Sequence, residues 1–279
     1  MKLTEFKQHF TAQLLPVYGK MEAESLFGLV LEHVHHMSKV DLALTPQKEL
    51  DAAELRTWTD ILRRLVAEEP IQYILGQCHF YGRIFEVNGS VLIPRQETEE
   101  LVDWIKQDTR HTTPAIADLG TGSGCIAISL AALFPNGNVT AVDISGEALE
   151  VASRNARKNE VDVNFVAADL LTATSLPAQY DIIVSNPPYV RLLEKHEIRK
   201  NVLNHEPHLA LFVDDDDPLL FYRKIAALAS RHLHPGGRLY FEINQYLGEA
   251  TVALLKRHFE FVILRKDIYG NDRMICAYS

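Results

Sequence analysis

The chain has 279 residues, 47% hydrophobic and 23% charged, the balance of a soluble globular protein with one large or two ordinary domains. A formal net charge of −9, with no basic run longer than two residues, weighs against a nucleic-acid-backbone binder. No apolar run approaches the ~20 residues of a membrane span, Met1 to Phe6 lacks the apolar block of a secretory signal, and the scattered Cys78, Cys125 and Cys276 form neither a metal spacing nor a disulfide framework, so a cytoplasmic protein without a metal, off the membrane, is expected.

Residues 1–75 read as helices. Apolar residues recur at helical spacing in Leu26-Phe27-x-Leu29-Val30-Leu31 and in Leu55-x-x-Trp58-x-x-Ile61-Leu62-x-x-Leu65-Val66. Thr45-Pro46 has the form of a helix start, a cap followed by a first-turn proline. A small N-terminal helical bundle is expected. His33, His35 and His36 lack the i, i+4 spacing of a zinc helix and are expected to be solvated or core histidines. Residues 76–94 change to aromatic and β-branched alternation around Asn88-Gly89, which predicts a β-hairpin connecting two domains.

From residue 95 to 279 strand and helix patterns alternate. Strands are expected at 115–119, 138–143, 163–168, 180–185, 236–243, 259–267 and 272–278, and helices at 97–107, 123–134, 146–159, 217–233 and 247–257. Such alternation predicts an α/β fold with a parallel sheet covered on both faces. The last two strands are joined by Asp267 to Asp272, too short for a crossover, so the final strand should be antiparallel. Seven strands with the last one reversed is, as a fold-level analogy, the Rossmann-like plan of the class I methyltransferases. The acidic run Asp214 to Asp217 reads as a solvated loop capping the following helix.

The strand ends carry the candidate chemistry. Asp118-Leu119-Gly120-Thr121-Gly122-Ser123-Gly124 leaves the first strand as a glycine loop that lets backbone approach a ligand. It is not the dinucleotide fingerprint. With an acid and no basic residue, it suits a ligand bearing a cationic amino group, such as S-adenosylmethionine. Asp143, with Ile144 beside it, ends the second strand where a carboxylate can accept from ribose hydroxyls, because Ser145 is placed to cap the next helix. Asp169 ends the third strand and can accept from an adenine amino group, with Leu170 against the ring. Asn186-Pro187-Pro188-Tyr189 follows the apolar strand Asp181 to Ser185. Two prolines end the ladder and stiffen the exit, leaving the Asn186 amide and the next carbonyls to grip one planar NH2 group. Open α/β sheets bind ligands at this carboxyl edge.

These residues bring the chain close to a known family. Pro70-Ile71-Gln72-Tyr73-Ile74-Leu75-Gly76, Phe80-Tyr81-Gly82, Val91-Leu92-Ile93-Pro94-Arg95-x-Glu97-Thr98-Glu99-x-Leu101, the Gly120–Gly124 loop, Asn186–Tyr189, Glu206-Pro207-x-x-Ala210-Leu211 and Pro235-Gly236-Gly237 all resemble the protein-(glutamine-N(5)) methyltransferases of peptide chain release factors, the PrmC or HemK family. The resemblance spans nearly the whole chain. It implies S-adenosyl-L-methionine as cofactor and transfer to the glutamine of the Gly-Gly-Gln loop in class 1 release factors. Asn186, Pro187 and Tyr189 would be the catalytic residues, with Pro188 in the substrate site, the helical domain would dock the protein substrate, and a monomer is expected. Two positions depart from the pattern: Gln96, where the family usually has proline, and Asn244, where glycine is common. Asn-Pro-Pro-Tyr also occurs in adenine N(6)-methyltransferases, the main alternative, which would need a basic face and a flipped-base pocket. The acidic balance argues against it. Intact Asn186 and both strand-end acids argue against a non-catalytic S-adenosylmethionine-binding factor, and no flavin, haem or metal signature supports a redox role.

Overall fold

Amphipathic helices build the N-terminal part around one aromatic nucleus. The computed structural model describes residues 1–198 and 200–279. Helices α1 (Leu3–His35), α2 (Lys39–Leu44), α3 (Ala52–Val66) and α4 (Ile71–Leu75) follow in order. Pro16 and Gly19, the latter at φ 74°, kink α1 into two arms. Leu3, Phe6, Phe10 and Leu14 from the first arm and Phe27, Val30 and Leu31 from the second pack on the α3 stripe Trp58, Ile61, Leu62 and Leu65. Trp58 is fully buried, and the rings of Phe6, Phe10 and Phe27 lie 5.0–5.8 Å from it. Its indole nitrogen donates to His35 Nε2 at 3.0 Å. His35 is therefore a core histidine, and burial lowers its pKa. Thr45 does not start a helix: its hydroxyl donates to the Asp41 carbonyl and closes α2. The next helix begins at Asp51, whose carboxylate accepts from Ala53 and Glu54 amides in a capping box.

The chain divides into two compact units, one of Met1–Gly76 with helix α8 (Lys200–His205), the other holding the remaining elements. The second unit begins with a hairpin, β1 (Gln77–Phe80) and β2 (Arg83–Glu86), paired Phe80 to Arg83. The turn is Tyr81-Gly82, with both residues at positive φ, a mirror-image two-residue turn that matches strand twist. The expected Asn88-Gly89 turn lies outside the hairpin; Asn88 Oδ1 instead accepts from the Ser90 amide in a local loop. Glu99 compensates Tyr81 for its unfavourable backbone by accepting from its amide at 2.9 Å.

Helix α5 (Gln96–Asp108) leads into β3 (Ala115–Leu119), α6 (Cys125–Leu133), β4 (Asn138–Asp143), α7 (Gly146–Lys158), β5 (Asn164–Ala167) and β6 (Tyr180–Ser185). Between β6 and α10 (Leu220–His232) lie β7 (Val190–Arg191), a 3-10 turn at Leu192–Glu197, α8, α9 (His208–Leu211) and β8 (Phe212–Val213). Then come β9 (Leu233–Glu242), α11 (Gly248–Leu255), β10 (Phe261–Lys266) and β11 (Asp272–Tyr278). The seven-stranded sheet runs β10-β11-β9-β6-β3-β4-β5. β9, β6, β3, β4 and β5 are parallel, and β11 inserts antiparallel to both β9 and β10. This is the expected α/β class, with the reversed last strand one place in from the edge.

Each face of the sheet has its own core. Alternation along β3 sends Ile116 to one side, with Leu101 and Ile105 of α5 and Ile126 and Leu130 of α6. Ala117 and Leu119 go to the other, with Tyr222 and Ile225 of α10 and Leu255 of α11. In the acidic run, Asp217 pairs with Arg223 and does not cap α10 through its side chain, while Asp215 accepts from the Leu193 amide. Among the described residues no helix is long and apolar enough to cross a membrane.

Candidate active site

A cavity of about 320 Å³ opens where β3, β4, β5 and β6 end, a size ordinary for a small-ligand site. Gly120 to Ser123, Asp143, Ile144, Asp169, Leu170, Asn186, Pro187 and Pro188 all line it. Val91, Leu92, Pro94 and Arg95 also line it, as do Pro207, Leu209 and Ala210. Buried Glu206 ties these segments together, accepting from Arg95 Nη2 at 2.6 Å and from the Ile93 amide at 3.3 Å.

The glycine loop is shaped from behind. The Gly120 and Thr121 amides both donate to the Val142 carbonyl, at 2.8 and 3.0 Å. Gly124 sits at φ +82° as the N-cap of α6, and a Cβ there would lie 2.9 Å from Ile128 and 3.0 Å from Ala152. Asp118 is fully buried and does not itself line the cavity. Its Oδ2 accepts from Thr121 Oγ1 at 2.6 Å and from the Ala127 amide at 3.2 Å, in the first turn of α6, while Oδ1 has no hydrogen-bond partner among the described residues. Burial pushes this carboxyl up to about 7.

Asp143 accepts from the Gly122 amide at 2.8 Å and the Ser145 amide at 2.9 Å, which fixes its carboxylate across the cavity floor. Ser145 caps α7, accepting from Ala148. Ile144, 53% exposed, offers an apolar face at the rim. Asp169 accepts from the Leu171 amide and Thr172 Oγ1, at 2.9 and 3.0 Å.

At the other end, Ser185 Oγ donates to the Leu119 carbonyl at 2.5 Å, and the two prolines then carry the chain out of the ladder. Asn186 is half-buried, and its Nδ2 donates to Thr98 Oγ1 at 3.4 Å. Tyr189 differs from expectation. It is not among the cavity-lining residues; its ring packs in the cluster holding Tyr222 and Phe241, and its hydroxyl donates to Glu242 Oε1 at 3.0 Å. Glu242, 1% exposed, also accepts from Thr98 Oγ1 at 2.6 Å. Burial raises its pKa, opposed by the Thr98 and Tyr189 hydrogen bonds and the Arg273 charge. Asn244 Nδ2 donates to the Tyr189 carbonyl at 3.0 Å and to Glu194 Oε2 at 2.8 Å.

Sequence reasoning gave no role to Glu206, Glu242 or Asn244. The signal for Glu242 is its position, a lone acid in the run Leu239-Tyr240-Phe241-Glu242-Ile243, where a buried charge demands partners.

Residues 8–76 match the PrmC N-terminal domain and residues 96–209 the Methyltransferase small domain. A release factor glutamine methyltransferase of Flavobacterium psychrophilum is 52% identical over 99% of this chain and 98% of its own. Those of Bacteroides thetaiotaomicron and Streptococcus pneumoniae are 44% and 41% identical, over 95% and 99% of this chain and 95% and 98% of theirs. The chain belongs to the release factor glutamine methyltransferase family. Two solved structures share the fold: a Pyrococcus furiosus methyltransferase, with a TM-score of 0.53 at 17% identity over 79% of this chain and 98% of that one, and a Thermus thermophilus 16S rRNA methyltransferase, with 0.52 at 18% over 73% and 49%. The family makes the chain an enzyme of methyl transfer with S-adenosylmethionine as its cofactor. The site fits that cofactor: Asp143, Glu147 and Asp169 line the cavity against one basic side chain, Arg95, a balance that favours a cationic ligand, and the bare loop at Gly120 and Gly122 leaves room a Cβ would fill.

Proposed function

We propose that this enzyme methylates the side-chain amide nitrogen of the glutamine in the Gly-Gly-Gln loop of class 1 peptide chain release factors. The observation that carries the reading is the half-buried Asn186 amide beside Pro187 on the cavity wall, backed by Thr98 and stiffened by two prolines. S-adenosylmethionine, when bound, supplies the activated methyl group. Asp143 would hold it through ribose hydroxyls, Asp169 through the adenine amino group, and Ile144 and Leu170 through apolar contact with the ring.

A carboxamide nitrogen is a poor nucleophile because its lone pair is delocalised. Asn186 Oδ1 and the Pro187 carbonyl accept from the two hydrogens of the substrate amide, which fixes the nitrogen's position; orientation of this kind is worth up to roughly 7–11 kcal/mol. Both acceptors interact more strongly as positive charge builds on that nitrogen. The proton is lost to solvent afterwards, so no strong base is required. Pro188 shapes the outer wall, and Tyr189 supports the lip from behind. The net charge of −9 suits a protein substrate better than a nucleic acid. The helical unit is the docking platform for the release factor, and the enzyme works as a cytoplasmic monomer.

The deciding experiment offers labelled S-adenosylmethionine with purified release factor, DNA or RNA, and maps any label by peptide mass spectrometry. Label on the loop glutamine is expected. Label on adenine, or on neither, would overturn the reading.

A further inference from the structure

An asparagine side chain can be turned end for end without steric cost, because its oxygen and nitrogen are nearly the same size. Only hydrogen-bond partners decide which end faces a ligand. We propose that Glu242 and Thr98 set the direction of the Asn186 carboxamide, holding its oxygen toward the cavity, and so act as positioning residues for the methyl-accepting amide. The inference deepens the glutamine reading of the site and rests on it.

Thr98 has one hydroxyl proton, and it is given to Glu242 Oε2 at 2.6 Å. While Glu242 is ionised its oxygens can only accept, so the proton cannot be returned. Toward Asn186 the Thr98 oxygen can therefore only accept, and it meets the Asn186 NH2 at 3.4 Å. That contact is long and weak; the direction follows because the flipped amide would set its oxygen against a threonine oxygen whose proton is already given away. The Asn186 oxygen is left for the cavity. Tyr189 spends its own proton on Glu242 Oε1 at 3.0 Å, so both carboxylate oxygens are engaged by donors. Thr98 and Glu242 are 2% and 1% exposed, with Thr98 at the cavity wall and Glu242 behind it.

The arrangement is reversible in one way. A protonated Glu242 has a hydrogen of its own to donate. Given to Thr98, it frees the threonine hydroxyl to donate to Asn186 Oδ1, and the amide turns its NH2 toward the substrate NH2. Two donors then face each other. The groups bearing on Glu242 are Thr98 and Glu97 of α5, Tyr189 after β6, Tyr222 of α10, Cys125 of α6 and Arg273 of β11. Arg273 favours the ionised form, while Glu97 and burial oppose it.

The test compares the unmutated enzyme with Thr98→Val, Thr98→Ser and Glu242→Gln. Thr98→Val keeps the shape and removes the hydroxyl; kcat should fall by about a hundredfold, with the S-adenosylmethionine Kd and the release-factor KM within about threefold. Thr98→Ser should restore most of the rate. In the unmutated enzyme kcat should fall toward acid pH as Glu242 takes up a proton, and in Glu242→Gln kcat should be low and lack that limb. A Thr98→Val enzyme with unimpaired kcat overturns the proposal, and so does an acid limb that survives in Glu242→Gln. A neutron map of the deuterated, unmutated enzyme decides the same point without a variant: Asn186 nitrogen toward Thr98 is expected, and oxygen there overturns it. If the unmutated enzyme labels no release factor, the substrate reading fails separately, and the neutron map still decides the amide's direction.

Discussion

Three side chains carry separable energies. On the role proposed for Asn186, as acceptor for the reacting amide, Asn186→Ala should cut kcat by about a thousandfold while the S-adenosylmethionine Kd, read by calorimetry, moves only a few fold. Asp143 is the opposite case. Its carboxylate is held by two backbone amides and faces the cavity, so Asp143→Ala should raise the cofactor Kd about ten- to a hundredfold, and saturating cofactor should restore most of kcat. Equal loss of binding and turnover in both variants would mean that the roles are misassigned. His35 acts on stability. Burial and the Lys48 charge lower its pKa from 6.5, so the unfolded chain takes up a proton more readily than the folded one. The stabilisation is full well above pH 6.5 and is lost as pH falls through 6.5 toward the lowered folded value. The urea midpoint of the helical unit, followed by the Trp58 indole signal, should drop as pH falls from about 7.5 through the unfolded value of 6.5. His35→Gln, whose oxygen can still accept from Trp58, should flatten that dependence.

The glycine loop shows how one element divides folding from binding. A Cβ on Gly124 runs into Ile128 and Ala152, and φ is +82°. Gly124→Ala should therefore cost about 2–4 kcal/mol of stability, seen in thermal unfolding without ligand. Gly122 is also at positive φ, but a Cβ there meets no protein atom within 4 Å. Gly122→Ala should cost less stability and more cofactor affinity, because the new methyl enters the ligand's space. The reverse order would show that the loop's shape serves packing rather than the ligand. Asn88-Gly89 is the stronger turn signal in sequence, yet the turn forms at Tyr81-Gly82. Glu99, remote in sequence, stabilises that backbone through the Tyr81 amide, and Asn155 pairs with the Glu86 backbone on both its amide and carbonyl. Tertiary partners outweighed local propensity.

At the scale of the whole molecule, each unit buries its own apolar core. Residues 77–279, which hold the whole second unit together with α8, should therefore fold and keep the cofactor Kd within about threefold, while on the docking role proposed for the helical unit the release-factor KM rises by about tenfold or more. Unchanged KM would remove the helical unit from substrate recognition. The strand ends were legible because a parallel sheet puts every carboxyl end on one edge, so Gly120, Asp143, Asp169 and Asn186 could be gathered from strand order alone. Glu242 also ends a strand, β9, but its partners come from α5 and from the segment after β6, and no spacing rule links them.

Local chemistry written in the chain determined the α/β alternation, the reversed last strand, the glycine loop and the proline-stiffened exit at Asn186, because each follows from periodicity, donor loss or backbone freedom within a few residues. Only the tertiary structure decided that Tyr189 turns inward, that Asp118 lies behind the loop rather than in the cavity, and that Thr98, Glu242 and Asn244 brace the lip. Those outcomes depend on which buried donor meets which buried acceptor across distant segments, a match that no local spacing encodes.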